Sequence, residues 1–251
     1  MALGTVKVRD LNRRPVDAFG VRAPGFEGGQ LTAIFRTITS TGAEAPTLPL
    51  GSSCVGILGR SQLDETVPED IGQVVFELEG REESMTASQP QTNPRYFRNL
   101  VRESILPVSE DATVRGGGNG SFPPFEISTG TLRSLEVSSP PLDGSFVLPA
   151  TGFRVRWEPD ERSDFVELTI SPVRRAGDGT TGGQVVCLLA DTGCFGLAAN
   201  QVNFLRQSQV DAYNATLRRV RGERVELADQ VEVEMEVLSE VVFGILAENN
   251  Q

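Results

Sequence analysis

The stretch GFRVRW, residues 152–157, carries the clearest structural signal in this chain. Its apolar side chains, ending on Trp157, alternate with arginines along the stretch. Successive side chains of a β-strand point to opposite faces of a sheet, so this alternation predicts a strand with one buried and one solvated face. Residues 166–171 and 231–237 alternate in the same way, whereas a helix would mix their two faces.

The rest of the chain favours short strands joined by turns. Of its 251 residues, 26 are Gly and 15 are Pro, which indicates many turns rather than long helices. Short apolar or alternating runs begin at Leu31, Cys54 and Ile71, and turn-rich segments separate them. We therefore predict an all-β protein built from antiparallel β-sandwich domains.

Changes in sequence character divide the chain into three parts. Residues 1–29 are rich in Gly, Pro and charge without sustained periodicity, which predicts an extended N-terminal segment or an irregular edge. We predict a β-rich N-terminal domain over residues 30–130 and a β-sandwich domain over residues 131–251. Inside the first domain, residues 96–108 fit either a short helix or two strands, and their periodicity does not decide.

Charge and composition exclude several classes of function. The net charge is −11, so a nucleic-acid phosphate backbone would be repelled and we expect no nucleic-acid partner. Histidine is absent, which removes the commonest general base near neutral pH and the commonest transition-metal ligand. We expect no enzymatic activity, no cofactor and no metal.

Membrane attachment is a separate question from membrane spanning. The sequence has no run of about 18 apolar residues, so we expect no spanning segment. Its start also lacks a signal peptide, although a leader or lipid anchor in a longer precursor stays open.

One short motif, Asp191-Thr192-Gly193, looks like the signature of aspartic proteases. In those enzymes two aspartates share one proton and activate water, and this chain has no second copy of the motif. Only a symmetric dimer could supply both carboxylates. The ordinary interpretation is a hairpin turn, in which the Asp caps the turn and the Gly accepts a positive φ.

A glycine motif at residues 177–182 fits G-x-G-x-x-G, the spacing of dinucleotide-binding loops. That function requires the glycines to open a helix, but a strand-like run follows them here. We therefore predict a hairpin loop.

The three cysteines, Cys54, Cys187 and Cys194, have no C-x-x-C spacing, so a structural zinc site is not expected. A hairpin loop at residues 190–191 would place Cys187 opposite Cys194, and those two could form a disulfide. A loop at residues 191–193 would put them on opposite faces, and Cys187 could then meet Cys54 across the core. A buried free thiol is the third alternative.

Asp160, Glu161 and Asp164 follow the tryptophan strand in a predicted turn. They could in principle hold a calcium ion together with backbone carbonyls. They lack the signature of a calcium loop, and an exposed, solvated turn is the favoured interpretation.

The strand with Trp157, the connection EPDERSD at residues 158–164 and the alternating strand that follows resemble the B-to-C hairpin of fibronectin type III and immunoglobulin-like sandwiches. This resemblance covers roughly the last 115 residues. It implies an immunoglobulin-like C-terminal domain in which Trp157 packs between two sheets.

A second resemblance spans most of the chain. The order of SSCVGILG at residues 52–59, GFRVRWEP at 152–159 and VVCLLADTGCFGLAANQVNFL at 185–205 resembles uncharacterised myxobacterial-type envelope lipoproteins. It implies a location in the cell envelope and assigns no catalytic residue. The chain departs from that pattern because it has no lipobox cysteine.

These observations predict a non-enzymatic cell-envelope or extracellular module that binds a protein or glycan partner through loops or a sheet edge. A variant is a homo-oligomer in which residues 1–29 donate a strand to a neighbour. The alternative is a hydrolase, most concretely a dimeric aspartic protease that uses Asp191. A glycan-binding surface would need exposed aromatic side chains, for which the candidates are Tyr96, Phe97, Phe122, Phe125 and Tyr213.

Overall fold

The computed structural model confirms an all-β protein with one short helix. It describes residues 1–14, 26–58, 64–78, 80–88, 94–101, 111–119, 122–130, 132–173, 183–228 and 230–248. The glycine motif at 177–182 lies outside these residues. None of the described residues forms a helix long and apolar enough to cross a membrane.

The strands of the first half are short except for the first two. They are β1 (Ala2–Arg14), β2 (Phe26–Ser40), β3 (Thr47–Pro49), β4 (Cys54–Ile57), β5 (Glu65–Pro68), β6 (Gln73–Leu78), β7 (Arg81–Thr86), β8 (Tyr96–Val101), β9 (Ala112–Gly116) and β10 (Phe125–Thr129). Residues 96–108 had fitted a helix or strands, and their described part is the strand β8.

The second half ends in two long strands. Its elements are β11 (Val137–Ser139), β12 (Gly152–Trp157), β13 (Phe165–Val173), β14 (Gln184–Leu189), β15 (Cys194–Ala198), α1 (Ala199–Arg206), β16 (Ala212–Ala228) and β17 (Val231–Leu246). Helix α1 was not predicted from the sequence.

Three sheets contain these strands. The largest has the order β3-β4-β14-β13-β16-β17-β1-β2-β5, with β8 also paired to β2. The smaller sheets have the orders β10-β9-β6-β7 and β11-β12-β15. All neighbouring pairs are antiparallel except β1 and β17, which run parallel.

Two hydrophobic clusters pack against the same face of the large sheet, one under each smaller sheet. Strand β17 contributes to both because it is long and alternates throughout. Its inward residues Val233, Met235 and Val237 belong to the first cluster. The next inward residues after Ser239 belong to the second cluster, and they are Val241, Phe243 and Ile245.

The second cluster has an immunoglobulin-like arrangement, as predicted for the C-terminal part. Strands β11, β12 and β15 face β14, β13, β16 and β17, and Trp157 is buried between them at 4% exposure. Strands β12 and β13 lie in facing sheets, so residues 158–164 cross between the sheets rather than closing a hairpin. Residues 190–193 also cross between sheets, since β14 and β15 are not paired.

The N-terminus corrects the prediction of an extended lead-in over residues 1–29. Strand β1 lies inside the large sheet, between β17 and β2. Its residues Val6 and Val8 are fully buried, while Lys7 and Arg9 point to the other face. The apolar alternation is limited to Val6 and Val8, because Gly4 and Asp10 occupy the neighbouring inward positions. Because both edges of β1 are paired within the chain, it is not free to donate a strand to a neighbouring copy.

The predicted boundary between residues 130 and 131 also differs from the structure. The first cluster takes residues from β17, and the second takes Leu50 and Cys54 from the predicted N-terminal domain. Strand β4 pairs with β14 in the same sheet. Neighbours in this sheet are far apart in sequence, so a break in sequence character does not mark a break in packing.

We predict that Gly4→Ala in β1 destabilises the protein by about 1–3 kcal/mol through overpacking. A Cβ at Gly4 would lie 2.8 Å from two Phe35 ring carbons and 3.0 Å from Val233. Gly222→Ala in β16 is the control, because its nearest neighbour would be 3.6 Å away. We expect it to change stability by less than about 0.5 kcal/mol. Urea denaturation measures both, and equal effects would contradict the central packing of β1.

Candidate functional site

The carboxylate of Asp191 accepts hydrogen bonds from four donors. Its Oδ1 accepts from the Trp157 indole N–H at 2.6 Å. Its Oδ2 accepts from Arg219 Nε at 2.7 Å, Ser163 Oγ at 2.8 Å and the Asp160 backbone N–H at 3.3 Å. These donors occupy both carboxylate oxygens and fix the side chain in place. The structure therefore favours a structural role for Asp191 over the shared proton that an aspartic protease requires.

Arg219 is the buried partner of Asp191, with a side chain only 1% exposed. Its Nη1 donates to the carbonyl oxygen of Arg133 at 3.1 Å, and its Nη2 donates to the carbonyl oxygen of Glu158. One side chain thus joins strand β16, the turn at residues 190–193 and the crossing at residues 158–164.

Asp160 is the second buried carboxylate of this region. It accepts hydrogen bonds from the Arg133 backbone N–H at 2.7 Å and from two guanidinium nitrogens of Arg162 at 3.0 Å. Burial by itself would raise the pKa of Asp160, but these bonds outweigh it and hold the pKa at about 2. The carboxylate is occupied by donors, and no group of three potential metal ligands occurs among the described residues.

Two of the three cysteines form a disulfide. Cys54 in β4 and Cys187 in β14 are direct cross-strand neighbours, with Cα atoms 4.0 Å apart. They meet side by side in one sheet rather than across the core. The alternative of a bridge from Cys187 to Cys194 is not what the structure contains, because β14 and β15 belong to different sheets. Cys194 is a free, exposed thiol in β15.

Four of the five aromatic candidates for a glycan-binding surface are buried. Tyr96, Phe122, Phe125 and Tyr213 are each less than 8% exposed, and Phe97 at 54% is the exposed member of the five candidates. Sugar rings stack on exposed aromatic faces, and a single phenylalanine offers little of that surface.

Among the described strands β15 is paired only with β12, so its other edge is free of a strand partner. The Trp157 N–H donates to the Gly193 carbonyl at 2.9 Å, which sets the phase of the β12–β15 ladder. In an antiparallel ladder alternate residues direct both peptide groups at the partner, so the peptide groups of Cys194 and Gly196 point away from β12. Within the described part of the chain nothing hydrogen-bonds to them. The Ala198 N–H, next along, donates to Gln201 Oε1 at 2.5 Å.

The composition of β15 distinguishes it from the other edges. Its sequence, CFGLA, has neither charge nor proline. Proteins commonly protect sheet edges with charged residues or proline, which block pairing with another chain. The other strands at the ends of the three sheets carry or adjoin one: Pro49 in β3, Glu65 and Pro68 in β5, Arg81 and Glu82 in β7, Arg98 in β8, Glu126 in β10 and Pro140 after β11.

Two arginines lie beside this free edge on the outward face of β12. Arg154 pairs across the ladder with Gly196, and Arg156 pairs with Cys194. Both arginines are exposed, and neither forms an ion pair with any described residue. A Cβ at Gly196 would lie 3.9 Å from Arg154 Cγ, so the stem of this arginine lies beside the glycine.

The free edge of β15 with Arg154 and Arg156 is our candidate binding site. Sequence reasoning took these arginines as the solvated side of a strand and directed attention to Asp191 instead. The available signal was an uncharged strand of five residues without proline. It could not be read as an edge before the sheet order was known.

Comparisons with known proteins add a distant structural likeness. No protein-family model and no curated protein matches the chain, so the resemblance to myxobacterial-type lipoproteins finds no support there. The solved structure of chicken CNTN1 domains FN1–FN3 is similar to this chain. The match covers 83% of this chain and 77% of the CNTN1 chain, with 12% sequence identity and a TM-score of 0.25. The immunoglobulin-like arrangement described above rests on the strand order itself.

We predict that Arg219→Met destabilises the protein by about 3–5 kcal/mol, because it leaves a buried carboxylate without its ionic partner. Arg224→Met is the control on the same strand. Arg224 is 60% exposed and pairs with Glu232 and Glu234, so its loss is expected to cost less than about 1 kcal/mol. Urea midpoints and slopes measure both variants, and similar small losses would refute the central role of Arg219.

The Asp160 carboxylate predicts a specific dependence of stability on pH. Its folded pKa of about 2 lies below the ordinary 3.8, so its contribution is full above about pH 4 and is lost as pH falls toward 2. Asp160→Asn should therefore cost about 2 kcal/mol at pH 6 and progressively less below pH 4. Glu161→Gln, at the exposed neighbouring position, controls for the change in net charge. A loss independent of pH would contradict this assignment.

Proposed function

We propose that this protein is a non-enzymatic β-sandwich module that binds a protein partner by strand addition at the free edge of β15. The observation that carries this proposal is the pair of peptide groups at Cys194 and Gly196, which no described residue hydrogen-bonds and which lie on an uncharged strand. An extended segment laid beside β15 would satisfy both peptide groups and continue the three-stranded sheet.

The energetics favour such pairing at this strand. Each residue offers one N–H and one carbonyl, and a backbone hydrogen bond contributes about 0.5–1.5 kcal/mol net. Strand β15 is already extended by its pairing with β12, so only the partner segment loses conformational entropy on binding. Successive peptide groups along β15 also have the same spacing as those of any extended chain. This edge can therefore serve as a template for an added strand.

A protein partner is favoured over a glycan. A strand edge recognises alternating peptide donors and acceptors, which a sugar chain does not present at this spacing. The buried state of four of the five candidate aromatics points the same way.

We further propose that the protein works in the cell envelope or outside the cell. The Cys54–Cys187 disulfide supports this location, since such bonds persist in oxidising compartments and are rare in the cytosol. The acidic surface, with a net charge of −11, is consistent with a soluble module in either setting.

The test uses a peptide of about ten residues that alternates Val and Thr, with alternate N-methylation along one edge so that it cannot stack on itself. We expect millimolar peptide to slow hydrogen exchange at the Cys194 and Gly196 amides, measured by NMR. Gly196→Pro removes an outward N–H and should abolish the protection.

Two controls separate edge blocking from unfolding. A peptide N-methylated along both edges cannot form the ladder and should leave the wild-type amides unprotected. Circular dichroism checks that Gly196→Pro retains its strands. Protection that survives both the doubly methylated peptide and the proline would refute strand addition at β15.

A further inference from the structure

We infer that the segment recognised at the free edge of β15 is acidic, with carboxylates at alternate positions that meet Arg154 and Arg156. This inference rests on the proposed strand addition and specifies the chemistry of the partner. The observation behind it is that two guanidinium groups, which no described carboxylate pairs with, lie on the face beside the open edge.

The spacing of the two arginines matches an extended partner. They stand two residues apart on β12, which separates their Cα atoms by about 6.6 Å on one face of the sheet. Side chains at alternate positions of an added strand repeat with the same period and point to the same face. Two carboxylates on that strand would therefore align with the two guanidinium groups.

The residues of β15 leave room for this contact. An added strand would lie about 4.8 Å beyond β15 and so about 9.6 Å from β12. The residues of β15 on this face, between β12 and the added strand, are small: Cys194, Gly196 and Ala198. An arginine can therefore extend over β15 toward a glutamate that reaches back from the added strand. The planar guanidinium then presents paired donors to the carboxylate.

Charge complementarity identifies the sign of the partner. The chain has 34 acidic and 23 basic residues, yet Arg154 and Arg156 have no carboxylate among the described residues within ion-pair distance. Several other arginines do have such a partner, as Arg218 has Glu240 and Arg115 has Glu126. An acidic segment would supply the missing counter-charges and exclude basic competitors.

A second copy of this chain is a poorer occupant. Two β15 edges paired around a two-fold axis normal to the sheet would place both outward faces on the same side. Arg154 and Arg156 of each copy would then repel their equivalents. The partner is therefore a different acidic segment.

The experiment compares three peptides of equal length that alternate Val with Glu, Gln or Lys, each N-methylated along one edge. Binding to the wild-type protein is measured by NMR titration at about 50 mM and about 500 mM NaCl. We expect the Glu peptide to bind about tenfold more tightly than the Gln peptide at low salt, and the Lys peptide to bind most weakly. High salt should remove most of the difference.

Two double variants test the residues. R154Q/R156Q should bind the Glu and Gln peptides equally, with binding of the Gln peptide unchanged. R115Q/R224Q removes the same number of exposed arginines elsewhere and should preserve the tenfold preference.

The outcomes separate this inference from the proposed function. Equal binding of the Glu and Gln peptides by the wild type overturns the acidic partner and leaves strand addition standing. Failure of all three peptides to protect Cys194 and Gly196 overturns both. If a Glu peptide or a sulfated oligosaccharide binds Gly196→Pro as tightly as it binds the wild type, the two arginines form a simple anion patch. This outcome overturns the inference. If the protein dimerises without peptide and Gly196→Pro dissociates that dimer, the occupant of the edge is a second copy. This outcome also overturns the inference.

Discussion

The guanidinium of Arg219 lies in a polar row between the two hydrophobic clusters. Its cross-strand neighbour Ser239 accepts a hydrogen bond from the Leu135 N–H at 2.7 Å, and Asp10 is the neighbour of Ser239 on β1. Apolar residues of β17 continue on either side of this row. Such buried polar groups cost free energy unless they are paired, and here the pairing determines where the chain crosses between sheets.

The candidate binding edge depends on that row. Asp191 is held by Arg219 and Trp157, and its turn carries the chain from β14 to β15 in only four residues, 190–193. A connection this short has no room for a further strand beside β15. The Trp157 N–H then bonds to Gly193, which begins the β12–β15 ladder and directs the peptide groups of Cys194 outward. The buried ion pair thus helps to fix the place at which β15 begins beside β12.

The large sheet of the same sandwich, by contrast, ends in a protected edge. There the Cys54–Cys187 disulfide joins β4 to β14, and the outermost strand β3 ends at Pro49. The edge of the large sheet is therefore covalently secured and protected against pairing, while the edge of the three-stranded sheet offers backbone hydrogen bonds beside two positive charges. This asymmetry suits a module with one defined direction of attachment.

The sequence by itself determined the all-β class, the burial of Trp157 and the strands around residues 152–157, 165–171 and 231–237, because alternation with a period of two is a local property of the chain. It could not reveal the central position of β1, where Gly4 and Asp10 flank the two inward valines, or the helix after β15. Only the tertiary structure decided which cysteines meet, what surrounds Asp191 and which strand lies at an edge. Those properties depend on sheet order, which brings together residues far apart in the chain through packing and hydrogen bonds that local patterns do not encode.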